Sequence, residues 1–154
     1  MKWFILNLVI GSIASVGVLF FFKTAHLVSK IVPIDGIKAL GSFFTQKEEN
    51  AYLPGLIIHI GIGIIFSFIY TLIFQAIPMR TASYKIFVYS ALGIGLGLNH
   101  GAVAGLLLNI GFSRHPIDHV QKHALGLALT WTVAHAVYGS LLGFIYGLTE
   151  GILE

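Results

Sequence analysis

Four stretches of this chain, Trp3 to Phe22, Leu53 to Ile77, Ile86 to Phe112 and Ala124 to Leu148, are apolar almost throughout. A helix rises about 1.5 Å per residue, so about twenty apolar residues cross a hydrocarbon layer of about 30 Å. The runs are too long and too unalternating for barrel strands, which predicts helices. Pro54, in the first turn of the second run, and Pro78, just past its end, fit the two ends of a helix. One water-covered core cannot hide four such runs. Only 10% of the 154 residues are charged, where a soluble domain carries about 25%, and the mean hydropathy is +0.89. Too little polar sequence remains to coat the runs, so lipid must cover them. The predicted fold is all-α: an integral membrane four-helix bundle, one transmembrane domain over 1–154 with helices at about 3–22, 53–77, 86–112 and 116–148.

Lys2 ahead of an apolar run has the look of a signal peptide. The run is longer than the roughly 7–15 residues of a signal core and no small-residue cleavage site follows, so it is expected to stay as a spanning helix. The connections are uneven. Lys23 to Tyr52 is too long for a turn and too apolar for a free linker; IVPIDGIKALGSFF within it reads as an interfacial or re-entrant piece. PMRTASYK reads as a tight polar hairpin. SRHPIDHVQKH leads into the fourth helix, with Pro116 starting it, Asp118 and Lys122 at i,i+4 on a solvated turn, and about two turns standing out of the lipid. Of the charges that set orientation, Lys23, Lys30, Lys38, Lys47, Arg114 and Lys122 fall on one side, and Lys2, Arg80 and Lys85 on the other. The larger set favours a cytoplasmic location for its own side and the Lys2-first start favours the reverse.

The formal charge of +3 comes from cations at segment ends, where lipid headgroups explain them and nucleic acid is not indicated. Cysteine is absent; disulfides, thiolate metal sites and cysteine nucleophiles go with it. No serine with a base and oxyanion donors is visible, and GIGLGLNHG lacks the strand and lysine of a phosphate loop. The six carboxylates read as lying in loops or at the tail. Enzymology on a soluble substrate is not expected.

What the runs do carry is glycine and histidine. Gly93, Gly97, Gly101 and Gly105 recur every fourth residue and make one ridge on the third helix. His135, Gly139, Gly143 and Gly147 repeat the pattern on the fourth, and Gly55, His59 and Gly63 on the second. Gly11, Ser12, Ser15 and Gly17 give the first a shorter version. In lipid, small residues let backbones approach and packing holds helices together, so the second, third and fourth helices are expected to pack tightly through these faces. An ionisable group inside a membrane helix normally faces a partner or a wet cavity. His59, His100 and His135, with Asn99 beside His100, are therefore the candidate intramembrane polar site; His100 and His135 stand near the middle of their segments. His115, His119 and His123 extend them toward one surface. His119 and His123, at i,i+4, can share a metal ion, and His115 ahead of Pro116 can cap the helix that follows. Trp3, Tyr52, Tyr84 and Trp131 read as belt or packing residues.

Three functions fit this pattern. The histidines can handle protons or a cation, since imidazole titrates near neutrality. They can ligate a haem or a transition-metal ion, with Gly97, Gly101 and Gly139 leaving room for a flat ring. The chain can also be a homo-oligomer or an accessory subunit of a larger membrane complex, its glycine faces and long loop docking other subunits.

A first helix, a loop with VPID, a second helix with His59 ahead of Phe66 and Ser67, a third with His100 among glycines and a fourth with AHAVYG follow one another in order. In that order the chain resembles the YagU-like family of small bacterial inner-membrane proteins. The resemblance implies a four-helix fold in the inner membrane and points to His59, His100 and His135 as positions of interest.

Overall fold

The computed structural model describes residues 2–28, 35–77 and 84–153, with side chains to 150. Its helices are α1 (Lys2–Val28), α2 (Gly36–Thr45), α3 (Tyr52–Gln75), α4 (Lys85–Phe112), α5 (Asp118–Lys122) and α6 (Ala124–Leu153). α1, α3, α4 and α6 are long and apolar enough to cross a membrane; even α3, the shortest at 24 residues, spans about 36 Å. Their outer faces carry Ile57, Phe87, Val103 and Leu106, all more than 60% exposed. In water such a surface would associate; in a bilayer it is the lipid face. The chain is a multi-pass membrane protein built as an all-α bundle.

The bundle is assembled from two unlike seams. α4 and α6 lie against each other along most of their length, and glycine is the reason. A Cβ at Gly93 would overlap the carbonyl oxygen of Gly139, and one at Gly139 the carbonyl of Gly93. Gly97 lies against the His135 carbonyl, Gly143 against that of Tyr89, and Gly147 against Ile86. Gly101 and Gly105 close on Thr132, whose hydroxyl donates to the Gly101 carbonyl at 3.0 Å. All seven ridge glycines are thus consumed by one helix pair.

The second seam is polar. α3 leans on α1 and α2 and touches α4 at only a few points, so the expected three-way packing of the second, third and fourth helices is corrected. The small and polar face of α3 finds its match on α1: Thr71 Oγ1 donates to Asn7 Oδ1 at 2.7 Å and Ser67 Oγ to the Asn7 carbonyl at 2.9 Å. Gly63 abuts Ser15, and Gly11 lies against Ser67 and Ile64. Gly55 meets the Ile37 carbonyl of α2, and Gly41 of α2 meets the Ala51 carbonyl. Hydrogen bonds in hydrocarbon have no competing water, so this seam can replace the close backbone contact that α3 lacks with α4.

Among its described residues the long first connection is largely helix. α1 runs on to Val28, and α2 begins at an N-cap, Asp35, whose carboxylate accepts from the amides of Ile37 at 2.8 Å and Lys38 at 3.3 Å. α2 ends at Gln46 in left-handed backbone, φ 57°. Its Ile37, Ala39, Gly41 and Ser42 are buried and its Phe44 is exposed. Most of the VPID segment, Pro78, Arg80 and most of the expected hairpin lie outside the described residues.

The fourth expected helix, 116–148, is two helices. At His123 the backbone leaves the helical region, φ −108° and ψ 15°, and its amide bonds to Val120 instead of His119. The His123 imidazole takes the vacated place, with Nδ1 at 2.8 Å from the His119 carbonyl. Pro116 precedes the first turn of α5, whose N-cap is Ile117; Asp118 and Lys122 are exposed as expected. The reading of every carboxylate as loop or tail is also corrected. Glu150 lies in the body of α6, nearly buried, where its Oε1 accepts from Tyr89 Oη at 2.6 Å and its Oε2 lies 3.5 Å from Lys85 Nζ.

A histidine-walled cleft open between α3 and α4

Because α3 stands off from α4, a cleft of about 410 Å³ is left between α3, α4 and α6. α3 supplies His59, Gly63 and Phe66, one face of a helix at spacings of four and three. From α4 come His100 and Val103, and from α6 Trp131, His135 and Tyr138. The walls are almost wholly apolar. At the mouth stand Ile62, Val103 and Leu107, which are 45%, 62% and 64% exposed on the lipid-facing surface. The cleft therefore opens sideways, toward acyl chains.

His59, His100 and His135 all line this cleft. The His100 ring stacks on Phe66 with centroids 3.8 Å apart and meets the His135 ring edge-on at 4.5 Å. Its Nδ1 lies 3.4 Å from Tyr70 Oη. His135 Nδ1 is 2.6 Å from the Trp131 carbonyl of its own helix, and His59 Nε2 is 3.0 Å from the Ser15 carbonyl of α1. A carbonyl can only accept, so these bonds fix the protons on His135 Nδ1 and His59 Nε2 and leave a lone pair on the other nitrogen of each ring. Trp131 joins the two, its ring 5.7 Å from His59 and 6.0 Å from His135. Tyr138 Oη donates to the Gly63 carbonyl and ties α6 to α3 in the wall of the cleft.

Other expected residues are elsewhere. Asn99 is exposed on another face of α4 and donates from Nδ2 to the Gly95 carbonyl at 2.8 Å. It is not in the site, because the residue next to an inward His100 is turned about 100° round the helix. His119 and His123 are in edge contact at 5.0 Å, with His119 Nδ1 3.6 Å from Glu48 Oε1. His123 Nδ1 is occupied by the His119 carbonyl. Among the described residues no group of three or more His, Cys, Asp or Glu is placed to hold a metal ion. The haem geometry is not supported either: the space at Gly97, Gly101 and Gly139 is filled by the backbone across the seam, and His100 and His135 touch each other with no gap for a ring between them.

His115 ends the trail outside the cleft. It is buried, with Nε2 3.2 Å from Ser42 Oγ of α2, Nδ1 accepting from the Ile117 amide at 3.1 Å, and its ring edge-on to Phe43 at 4.8 Å. Burial holds its pKa below the ordinary 6.5, while the hydrogen bond at Ser42 and the Glu48 carboxylate pull upward. A histidine whose folded pKa is lowered binds its proton more readily once released, so its contribution is complete above about pH 6.5 and is lost as the pH falls. Protonation would also cost Nδ1 its role as acceptor. The protection factors of the α2 amides, taken against the intrinsic exchange rate at each pH, are expected to fall on acidification through that range, and His115→Gln, which cannot titrate, to remove the dependence. Identical acid profiles for the two proteins would refute this.

Phe66, Tyr70 and Tyr138 belong to the site without a site role in the sequence reading, and Trp131, expected as a belt or packing residue, packs inside it against His59 and His135. The signal available was the i, i+4 register of Trp131 with His135 and of Phe66 with Tyr70. Against known proteins, the chain matches no family model, no curated protein and no solved structure.

Proposed function

We propose that this protein binds a lipid-soluble molecule inside the bilayer, admitting it between α3 and α4 and holding its polar end on the histidines of the cleft. One observation carries the reading: three imidazoles converge in an otherwise apolar cleft of about 410 Å³ whose mouth is on the lipid-facing surface. That volume is within the range of small-molecule sites, which join apolar walls to a few placed polar groups. Proton or cation handling has less support. Tyr70, His100 and His135 are contiguous, but the walls around them are apolar and offer a hydrated ion little to replace its water. The resemblance stated above supports a bacterial inner membrane as the location. Assembly with other subunits or with further copies is compatible with the binding role.

Trp131 reports on the cleft. With Trp3→Phe it is the sole indole, since the chain has two tryptophans, and it is only 6% exposed. In bilayers of chain-brominated phospholipid its emission is expected to be strongly quenched. Ile62→Phe with Val103→Phe, which fills the mouth, is expected to return the emission toward its bromine-free level. An emission indifferent to bromine, or quenching that the filled mouth does not reduce, would overturn the proposal.

A further inference from the structure

The cleft does more than present polar atoms; it presents them in a defined donor and acceptor order. Among the described residues Tyr70 Oη has a single hydrogen-bond neighbour, His100 Nδ1 at 3.4 Å. A buried phenol satisfies its proton by donating. Donation to Nδ1 places the His100 proton on Nε2, which makes that nitrogen a donor. His135 is the reverse, because its Nδ1–H is spent on the Trp131 carbonyl and Nε2 carries a lone pair. Among the described residues neither Nε2 has a hydrogen-bond partner, and neither is among the sealed, unpartnered buried atoms there, Trp3 Nε1, Ser15 Oγ and Trp131 Nε1. Both rings line the cleft in contact at 4.5 Å. A donor and an acceptor, side by side in a low-dielectric wall, each remain costly until a ligand supplies the complement.

On this basis, and resting on the binding role proposed above, we infer that the ligand is a long-chain carboxylic acid bound in its protonated form. Its O–H donates to His135 Nε2 and its carbonyl accepts from His100 Nε2–H. His59 Nδ1, a second lone pair on the same cleft, reinforces the demand for a ligand that donates. A neutral acid brings no net charge into the hydrocarbon, and its chain leaves through the mouth at Ile62, Val103 and Leu107. An ester of the same chain keeps the carbonyl and loses the donor.

The test uses the Trp3→Phe protein in bromine-free bilayers, titrated with dibromostearic acid and, separately, with its methyl ester. The acid is expected to quench Trp131 at about a tenfold lower concentration, the worth of the one hydrogen bond that the ester loses. His135→Leu removes the acceptor and is expected to bring the acid level with the ester. Tyr70→Phe releases the tautomer of His100 and reduces the preference without touching the ligand, which serves if the leucine variant fails to fold. Equal quenching by acid and ester in the unaltered cleft overturns this inference and leaves the binding role intact. Quenching by neither compound, with brominated phospholipid equally silent, overturns the binding role itself. A preference that survives in both His135→Leu and Tyr70→Phe overturns the assignment to this donor and acceptor pair.

Discussion

Gly93→Val is expected to destabilise the bundle by about 1–3 kcal/mol or more, the cost of forcing bulk into a packed interior. The seam between α4 and α6 has no slack there, since the atom a new Cβ would meet is the Gly139 carbonyl oxygen. Backbone cannot swing aside as a flexible side chain can. The two helices must separate, and the contacts of Gly97 and Gly101 with the same partner helix loosen with them. The reciprocal Gly139→Val should do the same, and the double variant should cost less than the sum because both side chains open one gap. Gly95, two residues along on the lipid face, has nothing within 4 Å of its Cβ position. Gly95→Ala should therefore lie within about 0.5 kcal/mol of the unaltered protein. Folded fraction against SDS mole fraction measures all four, and a Gly93→Val curve that overlays Gly95→Ala would sink the account of the seam.

Glu150→Ala is expected to cost about 1.5–3 kcal/mol, the range for hydrogen bonds to a charged group. Tyr89, fully buried, donates to this carboxylate at 2.6 Å, and Lys85 at the start of α4 pairs with it at 3.5 Å. The side chains of Lys85 and Glu150 are 23% and 12% exposed, so solvent screens the pair only in part. Removing the carboxylate leaves the lysine charge in that setting without its counter-ion. Glu150→Gln keeps an acceptor for Tyr89 and loses only the charge, so it should fall between. The same SDS titration orders the three proteins, and equal curves for alanine and glutamine would show that the hydrogen bond contributes nothing.

The glycine ridges were legible because a four-residue spacing is itself a surface: residues so spaced share a face whatever the partner is. The partner was not legible. Gly55, His59 and Gly63 of α3 keep the same four-residue spacing as Gly93, Gly97 and Gly101, yet the two α3 glycines close on α2 and α1. Asn7, Ser67 and Thr71, polar residues scattered through two apolar runs, are what drew α3 away, by hydrogen bonds that only form when both helices are present. Asn99 misled for a related reason. Adjacency to His100 in sequence means different faces on a helix, and Asn99 satisfies its amide on its own backbone. Glu150 looked like tail because α4 and α6 had not yet been brought together around it.

The sequence alone determined the solvent and the element type: four apolar runs of membrane length leave helices in lipid as the way to satisfy every backbone group. It also determined which faces could come close, through glycine. Only the tertiary structure decided that α4 spends its whole ridge on α6 while α3 spends its polar face on α1. Two unlike seams hold α3 and α4 apart except where His100 meets Phe66 and Tyr70, and the cleft that His59, His100 and His135 line is the gap left between them.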